Sequence, residues 1–183
     1  MNAIEFEGYD KTFTESMFLT KINNIFVKLH TCIMRDKLDE VSHFINDDVM
    51  QYALSIINNA KGMNGRQMYD ELNVKDSRIV SIEVKENVYE IKVYLQSRYM
   101  DYIMSLSNGN LLTGNNSSRV QVNYELTFTK KIDSKIQGTL RKCPNCGAAL
   151  DLNNSGKCEY CGGIYKQEDY DWILSKVEVL NRR

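Results

Sequence analysis

Two hydrophobic periods divide the chain. Phe18, Ile22, Ile25, Phe26, Leu29 and Ile33 recur every three or four residues, which places them on one face of an α-helix. Thr12-x-x-Glu15 precedes the stripe as a capping box, in which the Thr hydroxyl and the Glu carboxylate satisfy free backbone amides. Leu38, Val41 and Phe44 predict a short second helix after Asp36. Asn46 or Asp47 can cap a third, with Val49, Met50, Ala53, Ile57 and Ala60 on its inner face. Residues 61–76 show no clear period and carry two glycines, so they read as a connection with one helical turn.

Beyond residue 76 the period falls to two. Val80, Ile82 and Val84 alternate with Ser81, Glu83 and Lys85, and Tyr89, Ile91, Val93 and Leu95 alternate with Glu90, Lys92 and Tyr94. Val120, Val122, Tyr124, Leu126 and Phe128 give the cleanest alternation, and Asn108-Gly109-Asn110 marks the turn before it. Trp172 to Val179 again reads as strand, able to return to the sheet as an edge. Helices followed by a long antiparallel meander predict an α+β domain, with the helices on one face of a curved sheet. The other face is polar at nearly every alternate position and is expected to meet water or a partner.

The strongest chemical signal is Cys143-Pro-Asn-Cys146-Gly147 followed by Cys158-Glu-Tyr-Cys161-Gly162, with eleven residues between the pairs. Four thiolates at this spacing can close a tetrahedron around one zinc ion. Each glycine after the second cysteine lets the backbone turn back so that amides point at sulfur. A catalytic zinc keeps an open position, whereas four cysteines fill the shell, so the expected role is structural. The ribbon has few apolar residues (Ala148, Ala149, Leu150, Leu152, Ile164) and is expected to unfold without metal. The predicted organisation is a roll over residues 1–138, joined by 170–180 as a returning strand, with a zinc ribbon at 139–168.

Composition narrows the function. The chain of 183 residues is 43% hydrophobic and 26% charged, with no apolar run long enough to span a bilayer and no apolar leader at its acidic start. Paired thiolates fit a reducing cytoplasm. The formal net charge is -1, and four thiolates with one Zn(II) make it more negative. That argues against a dedicated nucleic-acid binder, which relies on Lys and Arg to neutralise phosphate. The ribbon's own cations, Arg141, Lys142, Lys157 and Lys166, have Tyr160 and Tyr165 as their only aromatic company.

The segment Tyr124-Glu-Leu-Thr-Phe128, the two knuckles and Asp171-Trp-Ile-Leu-Ser175 together resemble bacterial members of the inner-membrane translocase subunit 44-like family that end in a zinc ribbon. The resemblance implies a cystatin-like roll, related to the nuclear-transport-factor-2-like fold, with an apolar pocket between helices and sheet. It also implies a role linked to protein transport, because the mitochondrial relatives tether an import motor to the inner membrane and contact anionic lipid. This chain differs from them by its ribbon and by the lack of a long N-terminal arm for chaperone binding.

Other candidates weigh less. Cys32, on the apolar face of the first helix, reads as a small buried hydrophobe. His30 and His43 are expected at surface or half-buried positions, with Asp47 one turn from His43. Tyr99, Asp101 and Tyr102 could assemble an acid–base group at a pocket mouth. Phe18, Ile22, Phe26 and Leu29, rimmed by Lys21, Lys28 and Arg35, could lie on a membrane surface, although the same stripe serves as the inner face of a packed helix. The leading expectation is a non-enzymatic binding module for a lipid, an apolar peptide or a protein, with peripheral membrane contact. A small-molecule enzyme and a nucleic-acid-binding ribbon are the alternatives.

Overall fold

The apolar stripes become the two layers of one core. The computed structural model describes residues 3–8, 10, 13–132, 142–143, 145–149, 158–163 and 171–183. Helix α1 spans Ala3–Glu7, α2 Glu15–Arg35 and α3 Asp47–Gly62, with short 3-10 turns at Leu38–Glu40 and Ser42–Phe44. Strands β1 (Gly65–Lys85), β2 (Val88–Ser105), β3 (Leu111–Lys131) and β4 (Ile173–Arg182) form one antiparallel sheet in the order β1-β2-β3-β4. The fold is α+β, with helices packed on one face of a four-stranded, roll-like sheet and a cysteine cluster near the C-terminus.

All six apolar residues of the first stripe are buried along α2. The predicted cap at Thr12 lies outside the described residues; the helix begins at Glu15, after an extended Thr14 whose side chain makes no capping bond. At the other end Asp36 adopts a left-handed conformation (φ 53°), and the amides of Asp36 and Lys37 close on the carbonyls of Ile33 and Cys32. The expected second helix is instead a pair of 3-10 turns. Leu38, Val41 and Phe44 are spaced by three, the 3-10 repeat, and all are buried. Asn46 caps α3, its side chain accepting from the Val49 amide at 3.0 Å.

The sheet's inner face is lined by Ile82, Ile91, Val93, Leu95, Tyr99, Val122, Tyr124, Leu126, Phe128 and Leu174, all buried. Its outer face carries Lys92 paired with Glu125 at 3.2 Å and Arg78 stacked 4.1 Å above the Tyr94 ring. Residues 65–76 are strand rather than connection. The period is hidden because β1 is irregular between Asp70 and Asn73, between Val74 and Asp76 and between Ile79 and Ser81, with Glu71 left-handed at φ 56°. The last of these shifts, between Ile79 and Ser81, leaves Val80 exposed near the buried Ile82. Gly109 turns the chain between β2 and β3 with φ 73°.

Strand β4 pairs with β3 from Val122↔Arg182 to Thr129↔Ile173. Its start is held on the other side as well, where the Asn46 amide donates to the Leu174 carbonyl at 3.1 Å. Trp172 packs edge-on against Phe18 and Phe6, joining this entry to the N-terminal elements.

Candidate functional site

The two cysteine knuckles are built alike. The Cys143 amide donates to the Ala148 carbonyl at 2.8 Å and the Cys158 amide to the Gly163 carbonyl at 2.9 Å. The Gly147 amide returns to the Cys143 carbonyl, and the Gly162 amide to that of Cys158, both at 2.9 Å. These returns need left-handed backbone, which Gly147 (φ 74°) and Gly162 (φ 69°) supply without a Cβ penalty. The first cysteine of each knuckle is buried and the second exposed.

The knuckles bring the sulfurs of Cys143, Cys146, Cys158 and Cys161 within 4.8 Å of one another. Cys143 and Cys161 are 3.7 Å apart, as are Cys146 and Cys158. For zinc–sulfur bonds of about 2.3 Å the edge of a regular tetrahedron is about 3.8 Å, so this donor set fits a tetrahedral thiolate site. A thiolate is favoured locally at Cys143, whereas the thiol of Cys146 is pushed up beside the other sulfurs. Hydrogen bonds from the backbone amides of Cys146 and Asn145 hold the Cys143 thiol down to about 6. The Asn145 amide lies 3.4 Å from that sulfur. The four cysteines could therefore hold one metal ion.

The acid–base group expected from Tyr99, Asp101 and Tyr102 is not assembled. Tyr99 faces the core, and its hydroxyl shares a 2.6 Å hydrogen bond with that of Tyr124. Tyr102 points to the opposite face, where its hydroxyl donates to Asp70 at 2.6 Å. Strand alternation explains the split, since Tyr99 and Asp101 are two residues apart and Tyr102 is one further. Asp101 accepts from Gln67 at 2.7 Å and pairs with Arg182.

His30 is a correction: it is fully buried rather than surface or half-buried. Its ring lies 4.2 Å from Phe26, 4.8 Å from Tyr69 and 6.0 Å from Tyr99, centroid to centroid. Nδ1 bonds the Phe26 carbonyl at 2.9 Å, which requires the proton on Nδ1. Burial lowers its pKa to about 4, so the ring is neutral near pH 7. Burial pushes Tyr99 up to about 12 and raises Tyr69 and Tyr124 as well, keeping these phenols protonated. The result is a packed cluster of uncharged rings around His30. His43 is half-buried, with its ring 4.1 Å from that of Phe44.

Phe18, Ile22, Phe26 and Leu29 are all core residues, so this face of α2 is not free for a bilayer. Lys21, expected at the rim, instead forms a largely buried ion pair with Asp171. Of the ribbon cations, Arg141, Lys157 and Lys166 lie outside the described residues, as does Tyr165, while Lys142 pairs with Ala149 across the first knuckle. Cys32 is buried, as expected. Sequence reasoning missed a second buried pair, Lys130 with Asp10 at 2.8 Å, with side chains 4% and 6% exposed. The one signal for it was Lys130, a charge on the apolar phase of a strand.

In a comparison with protein families, the model described as the Tim44-like domain matches residues 3–139, ending before the four cysteines. A search of curated proteins gives no match.

Proposed function

The chain belongs to the Tim44-like domain family, and from that membership we propose that it is a non-enzymatic adaptor in protein transport, acting from the cytoplasm at the inner face of the membrane. The family match over residues 3–139 carries the reading. The interior supports it: the polar side chains that sequence nominated for catalysis do not converge, Tyr99 bonding Tyr124, Tyr102 bonding Asp70 and Asp101 bonding Gln67. The roll, residues 1–138 with 170–180, is the adaptor body, and 139–168 is a ribbon folded around one structural zinc held by Cys143, Cys146, Cys158 and Cys161. The ion supplies a cross-link between the knuckles. Among the described residues no helix is long and apolar enough to cross a membrane, and the membrane contact proposed is peripheral.

Flotation with vesicles tests the membrane half of this reading. The protein is expected to float with phosphatidylcholine vesicles containing phosphatidylglycerol at low salt, and to be released as salt rises. Failure to float with these vesicles at low salt removes the membrane from the proposal.

A further inference from the structure

Helix α1 is five residues long, too short to persist in water without tertiary support. Glu5, Glu7 and Gly8 are exposed, Ala3 packs partly against the core, and Phe6 and Asp10 are the buried contacts of this segment among the described residues. Phe6 is fully buried, edge-on to Phe13 at 4.9 Å and Tyr89 at 5.0 Å, and 6.1 Å from Trp172. Phe18 and Phe128 stand behind these rings, 5.8 Å from each other. The cradle is thus assembled from the α2 end of the chain and from β2, β3 and the entry to β4.

Its wall holds the charge of Lys130, near the largely buried Lys21–Asp171 pair that precedes Trp172. Lys130 lies opposite Tyr89 in the β2–β3 pairing, on the inner face. Its ammonium donates to Asp10 at 2.8 Å, out of water. The Asp10 amide donates to the Phe6 carbonyl at 3.0 Å, so ring and carboxylate are presented one helical turn apart. An apolar pair would close this seam without desolvating an ion. A lysine there makes the cradle discriminate, because any occupant without a carboxylate at that place leaves the ammonium buried and unpaired.

We propose that this cradle is a docking groove and that α1 is its displaceable resident. The partner it fits is an acidic helical segment of another protein, with Phe followed four residues later by Asp or Glu. Such a segment reproduces both contacts of α1 and competes with it, so docking is regulated by the chain's own N-terminus. The inference goes beyond the transport reading, and its test does not depend on that reading.

The test uses the full chain carrying Phe6→Ala, checked for folding by circular dichroism, and a fluorescein-labelled peptide with the sequence of residues 1–12. Fluorescence anisotropy should show at least tenfold tighter binding to this variant than to the unaltered chain, where α1 competes in cis. Adding Lys130→Met to the variant, or Asp10→Lys to the peptide, should weaken binding at least tenfold. If the Phe6→Ala chain does not fold, the Asp10→Asn chain is read in its place, with at least threefold tighter binding expected. A folded variant that ignores the peptide, or binds it no better than the unaltered chain, overturns the proposal. Binding indifferent to the charge changes does the same. Failure of both variants to fold would make α1 an integral part of the core and also overturns it.

Discussion

Lowering the pH should destabilise the fold through His30 in a window that its burial defines. The ring is enclosed by Phe26, Tyr69, Tyr99 and Tyr124. Its Nδ1 proton is committed to the Phe26 carbonyl, and burial lowers its pKa from 6.5 to about 4. The unfolded chain takes up a proton near pH 6.5, and the folded chain resists until about 4. The stabilisation is therefore complete above 6.5 and drains as pH falls through that interval. Each pH unit of the gap is worth about 1.4 kcal/mol, so the loss amounts to about 3 kcal/mol. Urea unfolding followed by Trp172 fluorescence between pH 7 and 4 gives the stability curve, and His30→Phe removes the titration while keeping an aromatic ring. The unaltered chain should lose about 3 kcal/mol more than the variant across this range. Parallel curves for the two, agreeing within about 0.5 kcal/mol, would refute the burial argument.

Two further perturbations address the seam and the ribbon. Lys130→Met or Asp10→Asn alone should cost about 3 kcal/mol in urea unfolding, because each strands or weakens a buried partner, whereas Lys130→Met with Asp10→Leu should recover most of the loss; single variants costing under about 1 kcal/mol would contradict this. Elemental analysis should find one zinc per chain, and Cys158→Ser should lose most of it. Metal-free protein whose four thiols react freely while the ribbon stays folded would show the zinc assignment to be wrong.

The parts of the fold legible in sequence were those with an unbroken period. The α2 stripe and the Val122–Phe128 alternation map directly onto buried faces. Elements were missed where the period breaks or is too short to exist. Strand β1 slips three times, which scrambles the parity of its side chains, and α1 is a single turn with Phe6 as its buried anchor. The cysteine cluster was legible because four ligands within nineteen residues leave few ways to converge. The buried ion pairs were not, since Lys130 and Asp10 are 120 positions apart and Lys21 and Asp171 are separated by 150. Charges so distant carry no pattern, and the sheet register that joins them is a property of the whole chain.

The ribbon's place in the chain bears on what its metal can control. Roughly forty residues connect the end of β3 at Lys131 to the start of β4 at Ile173, and a cross-link from Cys143 to Cys161 removes about half of that loop. Halving a connection of that length is worth about 0.6 kcal/mol to the closure of its ends. Burying Trp172 alone contributes about 3 kcal/mol, and Ile173 and Leu174 are buried with it. Side chains at the entry to β4 therefore outweigh the metal in holding the fourth strand. The roll completes its sheet through Trp172, Leu174 and the Lys21–Asp171 pair, and a metal held by the four cysteines would govern the shape of the knuckles. Metal loss should thus change what the ribbon presents to a partner while leaving the aromatic cradle beside Trp172 in place.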